Sequence, residues 1–335
     1  MIRVGIVGCG LIGKRRAAEA FEHPNSQLSL VVDINQSLAQ EVANLYQCKA
    51  DTSWQALIDS DEIDVVVVAT HNGLLAEISI AAMQAGKHVL IEKPMGRNLS
   101  EAIKMSEIAS QSKKLLKIGF NHRYHPALAK AYQLYKEGLI GEIINIRARY
   151  GHGGRPGYEN EWRGNPELAG GGELTDQGVH VVDLINWFAG IPAQGIAFLQ
   201  TAVWPLSPLE DNGFGMFKFS NGAIANLHTS WTQWKNLFSF EIYGTKGSLT
   251  IEGLGKSYGI ERLIIAIRNP AGGVPEMHEE IFDEPDFSWK KEWQDFMNAI
   301  THGDSYWGTS ADGLAAMKMI DSLYRSSREG KIVDV

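Results

Sequence analysis

The chain opens with the stretch Ile2-Arg3-Val4-Gly5-Ile6-Val7-Gly8-Cys9-Gly10-Leu11-Ile12-Gly13, in which a strand-like apolar run leads into a G-x-G-x-x-G turn. The first glycine of such a turn permits a tight bend, the second lets the backbone approach a pyrophosphate, and the third lets helix and strand pack closely. Backbone N–H groups at the start of the following helix then face the phosphates. The stretch therefore predicts a dinucleotide site built from Gly8, Gly10, Leu11, Ile12 and Gly13.

An acidic residue, Asp33, ends the next apolar run about 20 residues beyond the glycine turn. A carboxylate at this point can accept hydrogen bonds from the ribose hydroxyls and would repel a 2′-phosphate, so Asp33 favours NAD over NADP as the cofactor. An opposing interpretation rests on Lys14, Arg15 and Arg16, which open the helix and could hold the phosphate of NADP. A solvated basic face explains the same three residues.

The size and composition of the chain indicate a globular protein of two domains. Its 335 residues exceed what one hydrophobic core usually serves, and its 44% hydrophobic and 21% charged content is ordinary. The net charge of -8 argues against a nucleic-acid surface, and no apolar stretch reaches the length of a membrane span. Cys9 and Cys48 have no disulfide or metal-site spacing, and the chain begins at once with a core strand. We therefore expect a cytoplasmic protein without a bound metal.

The first part of the chain alternates between strand and helix patterns, which is typical of a parallel sheet. The strands are expected at Ile2–Val7, Leu28–Val32, Val65–Ala69, His88–Ile91 and Leu115–Gly119. Ligand-facing loops follow the carboxyl ends of such strands. We therefore expect the cofactor to be bordered by residues after the third and fourth of these strands, namely Thr70, His71, Asn72, Glu92 and Lys93.

Beyond Phe120 a single helix is followed by strand patterns without intervening helices. Asn221-Gly222 lies between two of these strands and is a strong hairpin signal. Successive hairpins indicate an α+β domain with a large, mostly antiparallel open sheet. A sheet with helices on one side leaves its other face uncovered, and we expect that face to carry Phe214, Met216, Phe238 and Phe240. Such an apolar face predicts a homodimer or homotetramer.

The chemistry is expected in the segment from Gly170 to His180, which reads GGGELTDQGVH. If the part after the glycines is helical, Asp176 and His180 lie four residues apart and project from one face. An acid and an imidazole would then be presented together. A surface ion pair is the alternative interpretation of such a pair, and a metal site would need a third ligand that no nearby His or Cys cluster supplies.

Five segments together resemble the glucose-fructose oxidoreductase, inositol dehydrogenase and rhizopine catabolism family, known as Gfo/Idh/MocA. The segments are GIVGCGLIG at the start, EKP at residues 92–94, FNHRYHP at 120–126, GGGELTDQGVHVVD at 170–183 and EIYGTKGSL at 241–249. The resemblance implies an α/β Rossmann domain over residues 1–122 that binds NAD, and a substrate-binding and oligomerisation domain of the α+β class over residues 123–335. It also implies oxidoreduction of sugar or cyclitol hydroxyls, and it matches Lys93, Asp176 and His180 to the catalytic trio of the family.

Elementary chemistry gives these three residues plausible roles. Oxidising a secondary alcohol moves a hydride to the nicotinamide while the hydroxyl proton leaves. A neutral imidazole titrates in the right range to take that proton, which makes His180 the expected general base. Lys93 would stabilise the developing alkoxide, and Asp176 would orient the reacting groups. Either Lys93 or His180 can carry the proton once the site tunes its pKa.

Substrate contacts are expected from a glycine-rich loop after the first strand of the second domain. Its aromatic and basic side chains suit a sugar ring and an anionic group. The loop is expected to contribute Arg155, Tyr158, Trp162 and Arg163. Arg123 and Trp234 are expected from outside the loop, with Trp231 near Trp234 at the end of a strand. The stretch GHGGRPGYENEW resembles family members that serve surface-polysaccharide and lipid A sugar synthesis, which implies a nucleotide-activated hexose such as a UDP-sugar, oxidised at C3. A free sugar or inositol is the alternative substrate, and a catalytically idle dinucleotide sensor is the alternative function.

Overall fold

The computed structural model describes all residues from 1 to 335, and its chain contacts divide them into two compact units. The first unit contains Met1–Phe120, Glu167–Gly170 and Trp289–Met317, and the second contains Asn121–Pro166, Gly171–Ser288 and Lys318–Val335. None of the helices is long and apolar enough to cross a membrane.

Fifteen strands and ten α-helices make up the regular structure. The strands are β1 Ile2–Val7, β2 Ser26–Val32, β3 Lys49–Asp51, β4 Val65–Val68, β5 His88–Ile91, β6 Leu116–Ile118, β7 Ile143–Gly151, β8 Gln194–Gln200, β9 Asn212–Lys218, β10 Ile224–Ser230, β11 Leu237–Gly244, β12 Gly247–Glu252, β13 Glu261–Ile267, β14 Glu276–Phe282 and β15 Val333–Asp334. The helices are α1 Leu11–Glu22, α2 Gln36–Tyr46, α3 Gln55–Ile58, α4 Asn72–Gln84, α5 Leu99–Ser112, α6 Pro126–Lys136, α7 Pro166–Ala169, α8 Val179–Ala189, α9 Ser288–His302 and α10 Ser310–Glu329.

The first unit is built on a six-stranded parallel sheet with the order β3-β2-β1-β4-β5-β6. This is the strand order of a doubly wound dinucleotide-binding fold, and the predicted α/β Rossmann domain is confirmed. All four valines of β4 are fully buried, as a strand covered on both faces requires. The chain reverses its strand order between β1 and β4, and ligands of such folds bind outside the carboxyl ends of these strands.

One helix near the end of the chain belongs to the first unit. The sequence assigned residues 289–317 to the second domain, but Trp293, Phe296 and Met297 of α9 lie in the core cluster of the Rossmann unit. The cause is the apolar stripe of α9, because its side chains lose contact with water by packing against the same core as Val4 and Val31. The units are therefore interleaved along the chain, whereas the sequence suggested one boundary near residue 122.

The second unit is built on a nine-stranded sheet with the order β14-β13-β12-β11-β7-β10-β9-β8-β15. All neighbours are antiparallel except β7 and β10, so the predicted large and mostly antiparallel sheet is confirmed. The turn at Asn221-Gly222 joins β9 to β10 as predicted, with Gly222 at φ +89°. The Asn221 side chain accepts a hydrogen bond from the Ala223 N–H at 3.1 Å and fixes this turn.

The two faces of this sheet differ from the prediction in part. Phe214 and Met216 lie on the open face, 47% and 48% exposed. Phe238 and Phe240 were expected beside them, but both are buried on the opposite, helix-covered face. Phe240 packs against Phe188 of α8, with ring centroids 5.7 Å apart. The alternation of side chains along β11 was predicted correctly. Alternation alone does not show which of the two faces packs against the helices.

Candidate functional site

The glycine turn of the first unit connects β1 to α1 through Gly8, Cys9 and Gly10. Gly8 has φ +93°, and a Cβ on it would lie 2.4 Å from the carbonyl oxygen of Ala69. A Cβ on Gly13 would lie 1.8 Å from the carbonyl oxygen of Gly8, so this helix can approach the turn only with glycine there. The local sequence therefore dictates the close strand-to-helix packing that the motif predicts.

Gly10 has a different reason to be glycine. Its φ of -70° suits any residue, and a Cβ built on it meets no atom within 4 Å. The space in front of Gly10 is therefore open, as it must be where a pyrophosphate approaches the backbone. No side chain caps α1 at Gly10, so the N–H groups of the first helical turn, which includes Leu11 and Ile12, remain for an anionic ligand.

Asp33 lies beside this turn. Its Oδ2 accepts a hydrogen bond from the Cys9 N–H and its Oδ1 accepts one from the Asn35 N–H, both at 2.8 Å. A carboxylate has about four acceptor positions, so two remain for the hydroxyls of a ribose. Burial, followed by the charge of Asp33, raises the pKa of the Cys9 thiol to about 12, which keeps this cysteine protonated. The open turn and the carboxylate together fit NAD.

Two of the three basic residues after Gly13, Lys14 and Arg16, are paired with carboxylates of the first unit. Arg16 is 1% exposed, and it donates from Nε to Glu92 Oε1 at 2.8 Å and from Nη1 to Glu292 Oε2 at 2.5 Å. Lys14 pairs with Glu41 at 2.5 Å. Both interpretations of Arg16, a phosphate ligand and a solvated face, are therefore wrong. The cause is burial, since a guanidinium away from water needs carboxylate partners.

Residues at the ends of β4 and β5 lie in the same unit. The Thr70 hydroxyl donates to the His71 carbonyl at 3.1 Å, and burial lowers the pKa of His71. The Asn72 amide nitrogen donates to the Ala169 carbonyl at 2.8 Å, so part of this predicted cofactor contact is used within the protein. Lys93 directly follows the buried Glu92 and is partly exposed.

In the second unit, the turn that carries Asp176 is a π-helix over Leu174–Gly178, and α8 follows it directly. The sequence predicted an ordinary helix here. π-turns are rare and are frequently found at functional sites, because they widen the backbone locally and redirect side chains. His180 lies in the first turn of α8 and is 6% exposed.

His122, which the sequence did not indicate as a candidate, lies directly beside the predicted base His180. Its ring centroid lies 3.7 Å from that of His180, and it is 5% exposed. Tyr150 of β7 packs edge-on against His122 at 5.3 Å. His122 lies in the FNHRYHP segment, whose second histidine, His125, and two aromatic residues could have indicated an imidazole near the predicted base.

Asp176 is held by the glycine-rich loop of residues 152–165. The Arg163 Nε donates to Asp176 Oδ2 at 3.0 Å, and Arg163 lies above the Trp162 ring at 4.5 Å. Arg155 pairs with Glu161 of the same loop at 2.6 Å. The structure therefore brings Arg155, Trp162 and Arg163 into one loop, and Arg163 connects that loop to the turn of Asp176.

Two predicted substrate contacts turn out to be buried. Arg123 is 2% exposed, and it donates to both carboxylate oxygens of Asp183 at 2.9 and 2.6 Å. Tyr158 is 7% exposed and packs edge-on against the buried Trp231 at 5.0 Å. Neither Arg123 nor Tyr158 offers an open face to a sugar ring, because each is already enclosed by the fold.

Trp234 is the aromatic residue of the predicted set that stays open. It is 67% exposed, and its ring centroid lies 6.5 Å from that of Trp204. No group of three or more His, Cys, Asp or Glu side chains is arranged to hold a metal ion.

Comparisons with known proteins agree with this geometry. A family profile described as an oxidoreductase family with an NAD-binding Rossmann fold matches residues 2–120, and one described as the GFO/IDH/MocA C-terminal domain matches residues 128–250. The chain is 28% identical to a levoglucosan dehydrogenase of Pseudarthrobacter phenanthrenivorans, over 100% of this chain and 98% of the relative. It is 33% identical to a 1,5-anhydro-D-fructose reductase of Ensifer adhaerens, over 67% of each chain.

A similar solved structure is a levoglucosan dehydrogenase in complex with NADH and levoglucosan. It has a TM-score of 0.90 and 27% identity, and the alignment covers 100% of this chain and 99% of that one. The glycine turn, Asp33 and the matched profiles identify the cofactor as NAD. With one profile matching the first unit and another the sheet of the second, the chain belongs to the Gfo/Idh/MocA family of NAD-binding oxidoreductases.

Proposed function

We propose that this enzyme oxidises a secondary hydroxyl of an uncharged sugar and passes the hydride to NAD. The proposal rests on one observation, which is that all three arginines predicted to bind substrate form ion pairs within the protein. Arg123 pairs with Asp183, Arg155 with Glu161, and Arg163 with Asp176.

Each of these guanidinium groups already has a carboxylate partner, so the three add no net positive charge. A nucleotide diphosphate needs unpaired cations or free N–H groups around its phosphates. Releasing Arg123 for this purpose would leave Asp183, which is fully buried, without its partner, at a cost of about 3–5 kcal/mol. A neutral sugar makes no such demand, and the relatives named for levoglucosan and 1,5-anhydro-D-fructose support the same choice.

The proposed chemistry uses one proton and one hydride. As the C–H bond of the alcohol breaks, both of its electrons leave with the hydrogen, and the O–H proton passes to the imidazole of His180. Asp176, fixed by Arg163, orients the hydroxyl, and the Lys93 ammonium stabilises the negative charge that develops on the oxygen. NAD, when bound, accepts the hydride at its nicotinamide.

A substrate panel tests this proposal. The enzyme is mixed with NAD and each of levoglucosan, D-glucose, 1,5-anhydro-D-glucitol, myo-inositol and UDP-glucose, and NADH formation is followed at 340 nm. We expect turnover with at least one uncharged sugar and a much lower kcat/KM with UDP-glucose. Preference for UDP-glucose would contradict the uncharged substrate, and NAD binding without any turnover would favour a dinucleotide sensor.

A further inference from the structure

Gln177 lies between Asp176 and Gly178 on the π-turn, and its amide is only half used by the protein. Its Nε2 donates to the hydroxyl of Tyr258 at 3.2 Å. Its Oε1 is shielded from solvent and has no hydrogen-bond partner in the protein. A buried carbonyl oxygen without a donor costs about 1–3 kcal/mol, so a ligand that donates to it is favoured.

The Tyr258 hydroxyl, in contrast, has a donor that is not used within the protein. Its oxygen accepts hydrogen bonds from Gln177 and from the hydroxyl of Tyr150. Burial raises the pKa of Tyr258, with these two bonds opposing the rise, so the phenol keeps its proton at neutral pH. With both incoming bonds made, the O–H of Tyr258 remains as a donor.

The Tyr258 side chain is presented by a loop in an unusual conformation. Within residues 253–259, Gly253, Gly255, Lys256 and Gly259 all have positive φ, and Lys256 adopts φ +61° without being glycine. A positive φ at a residue other than glycine, as at Lys256, costs free energy and persists where the surrounding structure enforces it, often at ligand clamps. Here the Asn236 amide donates to the Ser257 carbonyl at 2.7 Å and holds the loop.

This pair lies beside the groups proposed for proton transfer. Gln177 directly follows Asp176 in the chain, and Tyr150, which donates to Tyr258, has its ring 6.5 Å from the His180 ring. All of these residues belong to the second unit. Besides burial, the charge of the Asp176 carboxylate contributes to the raised pKa of Tyr258, so these two groups lie near enough to interact.

We infer that Gln177 and Tyr258 form a second hydroxyl subsite, which binds the hydroxyl on the carbon next to the one oxidised. A hydroxyl is the simplest group that both donates to the Gln177 oxygen and accepts from the Tyr258 phenol. A carboxylate or phosphate could not donate, and an ammonium could not accept. The substrate class is therefore a sugar or cyclitol with a vicinal diol, and this inference rests on the proposed function.

Levoglucosan and its three monodeoxy analogues test the inference, because levoglucosan carries only three hydroxyls, on consecutive carbons. Whichever carbon is oxidised, at least one neighbouring hydroxyl remains. If the panel identifies a better sugar, its own monodeoxy series is used. For Gln177→Met and Tyr258→Phe we expect KM for the parent sugar to rise about 10-fold or more, while kcat changes less than about 3-fold.

The analogue that lacks the contacted hydroxyl should already be a poor substrate of the wild type, and on it Gln177→Met should change kcat/KM by less than about 2-fold, because the partner is absent. Gln133→Met is the matched control, since the Gln133 amide also donates to a side chain, Glu137, at 2.8 Å but is exposed on α6. It should leave both constants unchanged.

Two results separate the failure of this inference from the failure of the proposed function. An equal loss on the parent and on every analogue that is turned over, or an unchanged KM, would overturn the hydroxyl subsite and leave the proposed function standing. Absence of NADH formation by the wild type with every sugar would overturn the proposed function, and the subsite with it.

Discussion

At the scale of a single residue, we predict that Asp33 sets the preference for NAD over NADP. Besides offering acceptors to a ribose, its carboxylate holds the Cys9 N–H of the glycine turn. We predict that Asp33→Ser or Asp33→Ala narrows the preference for NAD over NADP by about 1–3 kcal/mol, the range for a charge-assisted hydrogen bond. Affinity for NADH should also fall, because the turn loses one of its restraints. Fluorescence titration with NADH and NADPH measures both effects, and tighter binding of NADPH by the unmodified protein would refute the role of Asp33.

The ion-pair partners of the buried arginines could not be predicted from the sequence. From the sequence, Arg16 was interpreted as a phosphate ligand or a solvated cation, and Arg123 was predicted to contact the substrate. Their partners, Glu92 and Asp183, lie 76 and 60 residues away, and only the folded chain brings them together. By contrast, Gly13 meets the Gly8 carbonyl within one strand-turn-helix unit, and Asp33, just after the next strand, accepts from the Cys9 N–H, so local spacing was enough to predict both arrangements.

The contact between β5 and β6 contains a titratable group with a definite protonation state. His88 begins β5, and its Nδ1 accepts a hydrogen bond from the Leu115 N–H at 3.1 Å, which requires an unprotonated nitrogen. Burial, with a smaller contribution from Lys114, lowers the pKa of His88 to about 4 from an ordinary value of 6.5. Between pH 6.5 and about pH 4 the His88 imidazole is protonated in the unfolded chain but neutral in the folded chain. Stability should therefore fall as the pH drops through this window.

We predict that His88 accounts for about 1–3 kcal/mol of the stability lost between pH 6.5 and pH 4. Urea unfolding of the wild type and of His88→Asn across this range isolates the effect, since asparagine keeps an acceptor but does not titrate. Parallel pH profiles of the two proteins would show that His88 has no such role.

Helices, strands and turns with a clear pattern in their own residues could be predicted from the sequence. Elements whose conformation depends on the residues packed around them could not. The valines of β4 and the Asn221-Gly222 turn carry their structure in their own composition. Strand β14 was missed because it is rich in charged residues and lacks apolar alternation, which suits an exposed edge strand. The π-turn at Leu174–Gly178 was missed because its pattern is that of an ordinary helix.

Assembly is a property of the whole molecule, and we propose that the open face of the second unit's sheet packs against a second copy. Phe198, Phe214 and Met216 are 73%, 47% and 48% exposed, and they line a groove of about 660 Å³ on this face together with Arg147 and Glu241. An apolar face of this kind is unfavourable in water, and a two-fold contact would cover it on both chains.

We therefore predict that light scattering at micromolar concentration reports two or four chains. The double substitution Phe198→Glu and Met216→Glu should shift the protein to monomers by placing charges in the contact. Val274→Glu is the control, because Val274 is 84% exposed but lies outside this face. An active monomer of 36.9 kDa for the wild type would argue against the interface.

The first unit binds NAD, and we propose that the second unit carries proton transfer, so the two activities should be separable by substitution. The most direct test is His180→Ala, measured for turnover on the best sugar of the panel and for NADH affinity by fluorescence. We predict that kcat falls at least about 100-fold, the usual loss on removing a positioned general base, while the Kd for NADH stays within about 3-fold. Lys93→Ala should lower turnover by a similar factor. Near-normal turnover by His180→Ala would contradict the account.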